Sequence, residues 1–379
     1  MAYETQWLAY PRLGLPVFDP TGQASCSQLS AYLISTARVI TPKVVIISMF
    51  SLEAAIWPEQ LGLYARNITT PGLSPEYPVV HCDIKGEICQ LTTGEGEINA
   101  ASTIMAFALS RHFDLSYTYF LIAGIAGVNP FHATTGSVTF ARYAVQVGLQ
   151  YEIDIRELPS NYSTGYIPQH STVPETYPGT VYGTEVFELN AALRDRAIAL
   201  AKKATLNDTI KAAAYRTKYD YSPANQPPAV VACDTATSDV YFSGNLLSES
   251  FGNYTAVLTN GTGVYCSSQQ EDNATLESLL RADSAGLVDF SRIIIMRSGS
   301  DFDRPPPSET AAYHLLEASQ SGTTPALENL YLAGVQIIND VKGNWTDYKY
   351  GIKPDNYVGD ILNSSGSTTV MDFGPESSD

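Results

Sequence analysis

The chain has 379 residues, 44% of them hydrophobic and 16% charged, enough to bury a sizeable core in one large α/β domain or two smaller ones. Its formal net charge of −17, with no cluster of Lys and Arg, excludes binding to nucleic acid through the phosphates, which needs a basic face. No apolar run reaches the roughly 18 residues of a membrane-spanning helix, so no stable membrane insertion is expected.

Residues 1–39 contain Pro and Tyr with little periodicity and read as an N-terminal arm. Lys43–Phe50 (KVVIISMF) is a buried strand, and Ser51-Leu52-Glu53-Ala54-Ala55 turns from it into a helix. Pro78–Cys82 and Ile88–Thr92 read as a strand pair, after which Gly94-Glu95-Gly96-Glu97 opens a helix over Asn99–Leu109. Tyr117–Ile122 is the next buried strand, ending in a small-residue turn at Ala123–Gly127, and Ser137–Gln146 is a further strand. The stretch 151–183, rich in Tyr, Pro, Ser and Thr without clear period, reads as an insertion or lid.

A helix follows at Glu188–Ala204, then a short strand at Ala229–Ala232 closed by Cys233–Asp239. A polar stretch to Thr262 leads into Gly263–Ser267, and Gln269-Gln270-Glu271 begins another helix. Ile293–Met296 is a strand buried on both faces, and Arg297-Ser298-Gly299-Ser300-Asp301-Phe302-Asp303 breaks its run ahead of three prolines. Two final helices end near Val341, and 346–379 reads as a peripheral, partly disordered tail. Strands alternating with helices, without internal repeats, predict a three-layer α/β/α sandwich over 40–345.

Eight Asn-X-Ser/Thr sequons begin at Asn67, Asn161, Asn207, Asn253, Asn260, Asn273, Asn344 and Asn363, which predicts an N-glycosylated chain that takes the secretory route. The chain opens Met-Ala-Tyr with no apolar signal segment, so a secreted or cell-surface form is expected with its signal peptide already absent. Five cysteines permit at most two disulfides, and Cys82 and Cys89 flank a turn across which they can pair. The five histidines lack ligand spacing and no calcium-type Asp cluster is present, so no metal is expected.

In an open α/β sheet, ligands bind outside the carboxyl ends of the strands. Four such ends carry candidates: Glu53, the Ala123–Gly127 turn with Gly124 and Ile125, Gln270 with Glu271, and Ser300, Asp301 and Asp303. Each also has a structural account. Ser300 or Asp301 can cap the helix beginning near Ser308, Glu53 and Glu271 can complement a helix dipole, and Gly124 and Gly127 can serve close packing.

The ordered set Ile46-Ile47…Glu53, Gly94-Glu95-Gly96-Glu97-Ile98-Asn99-Ala100-Ala101, Ala123-Gly124-Ile125-Ala126-Gly127 and Arg297…Ser300-Asp301 resembles the nucleoside phosphorylase/methylthioadenosine nucleosidase superfamily. Within it, the set is most similar to the fungal purine nucleoside permease family, over roughly residues 40–345. The resemblance implies an α/β/α sandwich around a twisted mixed sheet, a purine nucleoside as small-molecule ligand, no cofactor and a possible homo-oligomer. Carried onto this chain, it makes Asp301 the acid that meets purine N7, positioned by Ser300. Glu271 would accept bonds from the sugar hydroxyls, and Gln270 stands where the family has Met. Glu53 would hold or activate a water, and Tyr241 or Phe242 would stack on the base.

Phosphorolysis needs a phosphate clamp, usually arginine. At the places where the resemblance puts those arginines this chain reads Ser48-Met49-Phe50-Ser51 and Phe120-Leu121-Ile122-Ala123. The expectation is therefore a secreted purine nucleosidase that cleaves the N-glycosidic bond with water. The alternatives are a nucleoside-binding protein supporting uptake, a phosphate-dependent phosphorylase completed by a neighbouring subunit, and a storage protein.

Overall fold

The computed structural model describes residues 39–374. The expected N-terminal arm lies outside that range except for Val39, as do the last five residues of the tail. In chain order come β1 (Val44–Ser48), α1 (Ser51–Ala55), α2 (Pro58–Leu61), β2 (Arg66–Thr69), β3 (Val79–Cys82), β4 (Ile88–Thr92), α3 (Glu97–Ala108) and β5 (Tyr119–Val128). Then follow β6 (Val138–Ala141), β7 (Tyr143–Gln146), β8 (Tyr151–Glu152), β9 (Tyr166–Ile167), β10 (Val186–Glu188), α4 (Ala191–Ala201), α5 (Ile210–Arg216), β11 (Val230–Ala232), β12 (Asp234–Thr237) and α6 (Asn245–Leu258). Last come β13 (Tyr265–Gln269), α7 (Asp272–Ser284), β14 (Ile293–Phe302), α8 (Ala311–Leu316), α9 (Thr323–Gly343), α10 (Trp345–Tyr348) and β15 (Gly359–Asp360).

The central strands are apolar on both sides because each side faces a helical layer. Val45 and Ile47, Phe120 and Ile122, and Ile293 and Ile295 share one core with residues of α3 and α7. Their neighbours Val44 and Ile46, Tyr119 and Leu121, and Ile294 and Met296 share the opposite core with α4 and α9. Period-two side-chain alternation thus builds the expected three layers. Truncating one of these isoleucines to Ala would cost about 2–5 kcal/mol in lost burial and cavity formation.

The sheet is mixed. β1 pairs parallel with β4 and β5, and β5 pairs parallel with β14. β14 pairs antiparallel with β6, β7 runs parallel to β12, and β12 to β13. β13 returns antiparallel onto the end of β5. With β6 and β7 separated only by Arg142, these pairings form a closed circuit, and the β3/β4 hairpin extends the sheet beyond β1. Cys82 and Cys89 are joined across that hairpin, and a second disulfide links Cys233 to Cys266.

Several sequence expectations are corrected. Ala123–Gly127 is not a turn but the second half of β5, in register with β14 from Met296 to Asp301. The Ser137–Gln146 strand breaks at Arg142, where the amides of Arg142 and Tyr143 donate to Asp234 Oδ1 at 2.9 and 2.8 Å instead of to a strand partner. Part of the stretch closing the Ala229–Ala232 strand is itself β12, and the polar stretch before Thr262 contains α6. The buried stripe of that helix (Phe251, Tyr254, Thr255, Leu258) is diluted in the sequence by Ser, Gly and Asn.

The tail is not merely peripheral: β15 pairs with β10, and Tyr357, Ile361 and Phe373 are buried. Segment 151–183 packs Tyr166 edge-on against Phe251 at 4.9 Å. Among the eight sequons, Asn273 is a core residue, donating to Thr184 O at 2.7 Å and accepting from Thr237 Oγ1 at 2.6 Å.

Candidate functional site

A cavity of about 300 Å³ opens at the carboxyl ends of β1, β5 and β14. It gathers Glu53, Ile125, Tyr241, Phe242, Gln270, Glu271, Ser300 and Asp301, all of which the sequence singled out. Gly124 lies beneath it. Asp303 is elsewhere: it is buried, accepts from Tyr265 Oη at 2.7 Å and pairs with Arg304, so its role is structural. No residue of 151–183 lines the cavity.

Glu53 reaches the floor from the first turn of α1, where it is buried. Its carboxylate accepts from Met49 N and Ile125 N, both at 2.7 Å, tying the end of β1 to β5. Burial raises its pKa to about 7, against the opposing pull of Arg297 and the two amides. Gly124 is required at this floor. A Cβ there would sit 2.6 Å from Arg297 Nη1 and 2.7 Å from Glu53 Oε1.

Arg297 is a residue the sequence reasoning placed in a motif without giving it a role. It projects from β14, fully buried, and donates to Asp272 Oδ1 at 2.5 Å, to Glu271 Oε2 at 3.4 Å and to Ile125 O at 3.2 Å. A buried guanidinium has to be paired to be tolerated, and this one meets two carboxylates, with Asp272 Oδ2 also accepting from its Nε at 3.3 Å. Glu271 in turn accepts from Gly96 N at 3.1 Å, and burial raises its carboxyl pKa despite Arg297. The signal available was one arginine inside an otherwise apolar strand, with two adjacent acids opening α7.

Asp301 is aimed by a bulge. The β14–β5 register runs Gly299↔Ala126 and then Asp301↔Gly127, leaving Ser300 with no partner. Bulges turn side chains out of the regular alternation. Ser300 Oγ donates to Asp301 Oδ1 at 2.6 Å, and Tyr241 Oη donates to Oδ2 at 2.7 Å. Burial raises the Asp301 carboxyl, while the two hydroxyls oppose that shift. Phe242 packs edge-on against Phe251, with ring centroids 4.7 Å apart. Gln270 donates to Asp239 O at 2.7 Å and so fixes the loop that carries Tyr241. Met49, Phe50, Glu95 and Thr323 complete a wall that the sequence did not reveal.

Chemically, a protonated Asp301 offers a donor to a ring nitrogen, Glu271 offers acceptors to hydroxyls, and Tyr241 and Phe50 offer aromatic surface. Among the described residues, no group of three or more His, Cys, Asp or Glu is arranged to hold a metal ion.

The layers and the strand-end cavity define a three-layer α/β protein with a candidate small-molecule site at the carboxyl ends of its strands. Within that class the chain belongs to the purine nucleoside permease family, whose profile matches residues 41–353. It is 51% identical over 348 residues to a purine nucleoside permease of Candida albicans, covering 90% of this chain and 85% of the relative. It is 47% identical over 325 residues to a probable purine nucleoside permease of Schizosaccharomyces pombe, covering 83% and 93%. Among solved structures, a 5′-methylthioadenosine/S-adenosylhomocysteine nucleosidase from Colwellia psychrerythraea in complex with adenine aligns at 16% identity. That alignment has a TM-score of 0.45 and covers 80% of this chain and 96% of that one.

These names overturn two expectations. The family and its relatives are named for permeation of purine nucleosides, not for hydrolysis, so the secreted nucleosidase gives way to the uptake reading. Secretion, inferred from the sequons, falls with it, and the burial of Asn273 shows that one member of that pattern serves packing. Among the described residues, no helix is long and apolar enough to cross a membrane.

Proposed function

We propose that the chain binds purine nucleosides in the strand-end cavity as the recognition step of nucleoside uptake. The observation that carries this reading is the convergence of Asp301, Glu271 and Tyr241 on one cavity in a chain of this family. Asp301 meets the imidazole edge of the base, Glu271 holds the sugar hydroxyls, and Tyr241 flanks the base. Glu53 braces the floor through its two backbone bonds. A cavity of about 300 Å³ lies at the small end of the range for ligand sites and suits one nucleoside.

The test is calorimetric titration of the full chain with adenosine, inosine and guanosine, paired with uptake of labelled nucleoside by cells making the native chain or Asp301→Ala. Saturable binding and uptake that both fall in the variant support the reading. Absence of binding to all three nucleosides refutes it. Cleavage of the bound nucleoside is a separate question, raised by the elevated carboxyl pKa values of Asp301 and Glu53. Chromatography of the same mixtures for free base, with and without phosphate, answers it.

A further inference from the structure

Asp301 borders more than one cavity. Next to the strand-end cavity lies another of about 360 Å³, and the two adjoin along Tyr241, Ser300, Asp301 and Thr323, which line both. On a purine, N7 and the substituent at position 6 share one edge. A base whose N7 meets Asp301 therefore carries its 6-substituent to the boundary between the two cavities. Of the four boundary residues, Tyr241 is 57% exposed, so its ring can give way to a passing substituent without disturbing the core.

The second cavity is lined largely by hydrogen-bonding groups. Ser243 Oγ is buried there with no hydrogen-bond partner among the described residues, a state that folded proteins seldom leave uncompensated. Gln320 is held by Phe302 N, which donates to its Oε1 at 2.7 Å, and its amide nitrogen meets His314 Nε2 at 3.1 Å. That nitrogen carries two hydrogens, so one is left over. Ser319 and Ser321 add hydroxyls, and α9 begins at Thr323 with no side-chain cap among the described residues. We propose that this second cavity receives a polar substituent on position 6 of the bound base. The site then takes N6-substituted purine nucleosides whose side chain ends in a hydroxyl or carbonyl oxygen. The inference rests on the nucleoside-binding reading above and adds to it a class of modified base.

The test is calorimetric titration of the full chain with adenosine, N6-(2-hydroxyethyl)adenosine and N6-propyladenosine. The two substituted ligands match in length and differ only in a terminal hydroxyl against a methyl. The hydroxyethyl compound is expected to bind within about threefold of adenosine. It should bind at least about fivefold more tightly than the propyl compound, whose methyl leaves the polar lining without partners. Ala318 lines the second cavity and not the first, so Ala318→Leu fills the one without entering the other. That change should weaken the hydroxyethyl compound at least about tenfold and leave adenosine within about twofold. Ser243→Leu fills the same space from a different segment and serves if Ala318→Leu does not fold.

Adenosine binding with rejection of both substituted compounds overturns the inference and leaves the nucleoside reading standing. So does hydroxyethyl binding that neither filling substitution weakens, because the substituent then lies outside the second cavity. Equal affinity for the hydroxyethyl and propyl compounds overturns the polar character assigned to it. Failure of all three ligands to bind overturns the nucleoside reading itself, and the inference with it.

Discussion

Glu53→Gln tests whether burial of a carboxyl at the cavity floor is as costly as its surroundings imply. Burial lifts the group from 4.5 to about 7 even though two amides and Arg297 favour its ionised form. At about 1.4 kcal/mol per tenfold change in proton affinity, ionising Glu53 costs the folded protein about 3 kcal/mol more than the unfolded chain. Between pH 4.5 and 7 the folded state holds more protons at this site than the unfolded state does, so stability falls as pH rises through that window. The penalty is fully present above about pH 7 and absent below about 4.5. Glutamine cannot ionise and contributes no such slope, although its amide will face one of the two backbone donors and lower stability by a constant amount.

Urea unfolding of both proteins at intervals across the window, with disulfides intact, yields a difference that should change by about 3 kcal/mol in favour of the variant as pH rises. Other raised groups, including Glu97 at about 7, are common to both proteins and cancel in the difference. Parallel stability profiles would refute the reasoning, because Glu53 would then titrate like an ordinary exposed carboxyl.

Three further outcomes are expected. Gly124→Ala forces a Cβ to within 2.6 Å of Arg297 Nη1 and should cost about 1–3 kcal/mol in thermal or urea unfolding, with loss of nucleoside binding. Tyr241→Phe removes one of the two hydroxyls that oppose the burial-driven rise of the Asp301 carboxyl. The carboxyl pKa should rise further, so nucleoside affinity should persist to higher pH than in the native chain, and stability should change by less than about 1 kcal/mol. Cys233→Ser opens a bridge spanning 33 residues and should lower stability by about 4 kcal/mol on the chain-entropy account, checked by urea unfolding without reductant.

The layers of this fold were legible because burial on both sheet faces writes itself as unbroken apolar runs. Val44–Ile47, Tyr119–Ile122 and Ile293–Met296 could hardly be anything else, and alternate residues in each do enter opposite cores. Legibility failed where tertiary contacts replaced local pattern. Ala123–Gly127 has the composition of a turn, yet a long strand passes through it because Arg297 and Glu53 occupy the space a side chain at 124 would take. Arg142 ends one strand and begins the next because Asp234, distant in sequence, supplies the acceptor its amide needs. Helix α6 and the tail residues 357–373 bury aromatics scattered among polar neighbours, a pattern that shows no period until their partners are known.

The site divides along the same line. Acids at strand ends announce themselves, because a carboxylate directly after an apolar run needs a reason to be there. Asp301, Glu271 and Glu53 were found that way and meet in one cavity. Asp303 passed the same sequence test and failed in space: it lies one residue past the end of β14, where Arg304 and Tyr265 hold it. Where the strand stops, invisible in composition, decides which of two nearby acids lines the cavity. Arg297 marks the opposite limit. From the sequence it is a charge interrupting a strand, and only the placement of Asp272 and Glu271 around it shows a cation paired within the protein. A count of residue types puts an arginine beside the cavity, whereas the structure shows its charge already matched by two neighbouring acids.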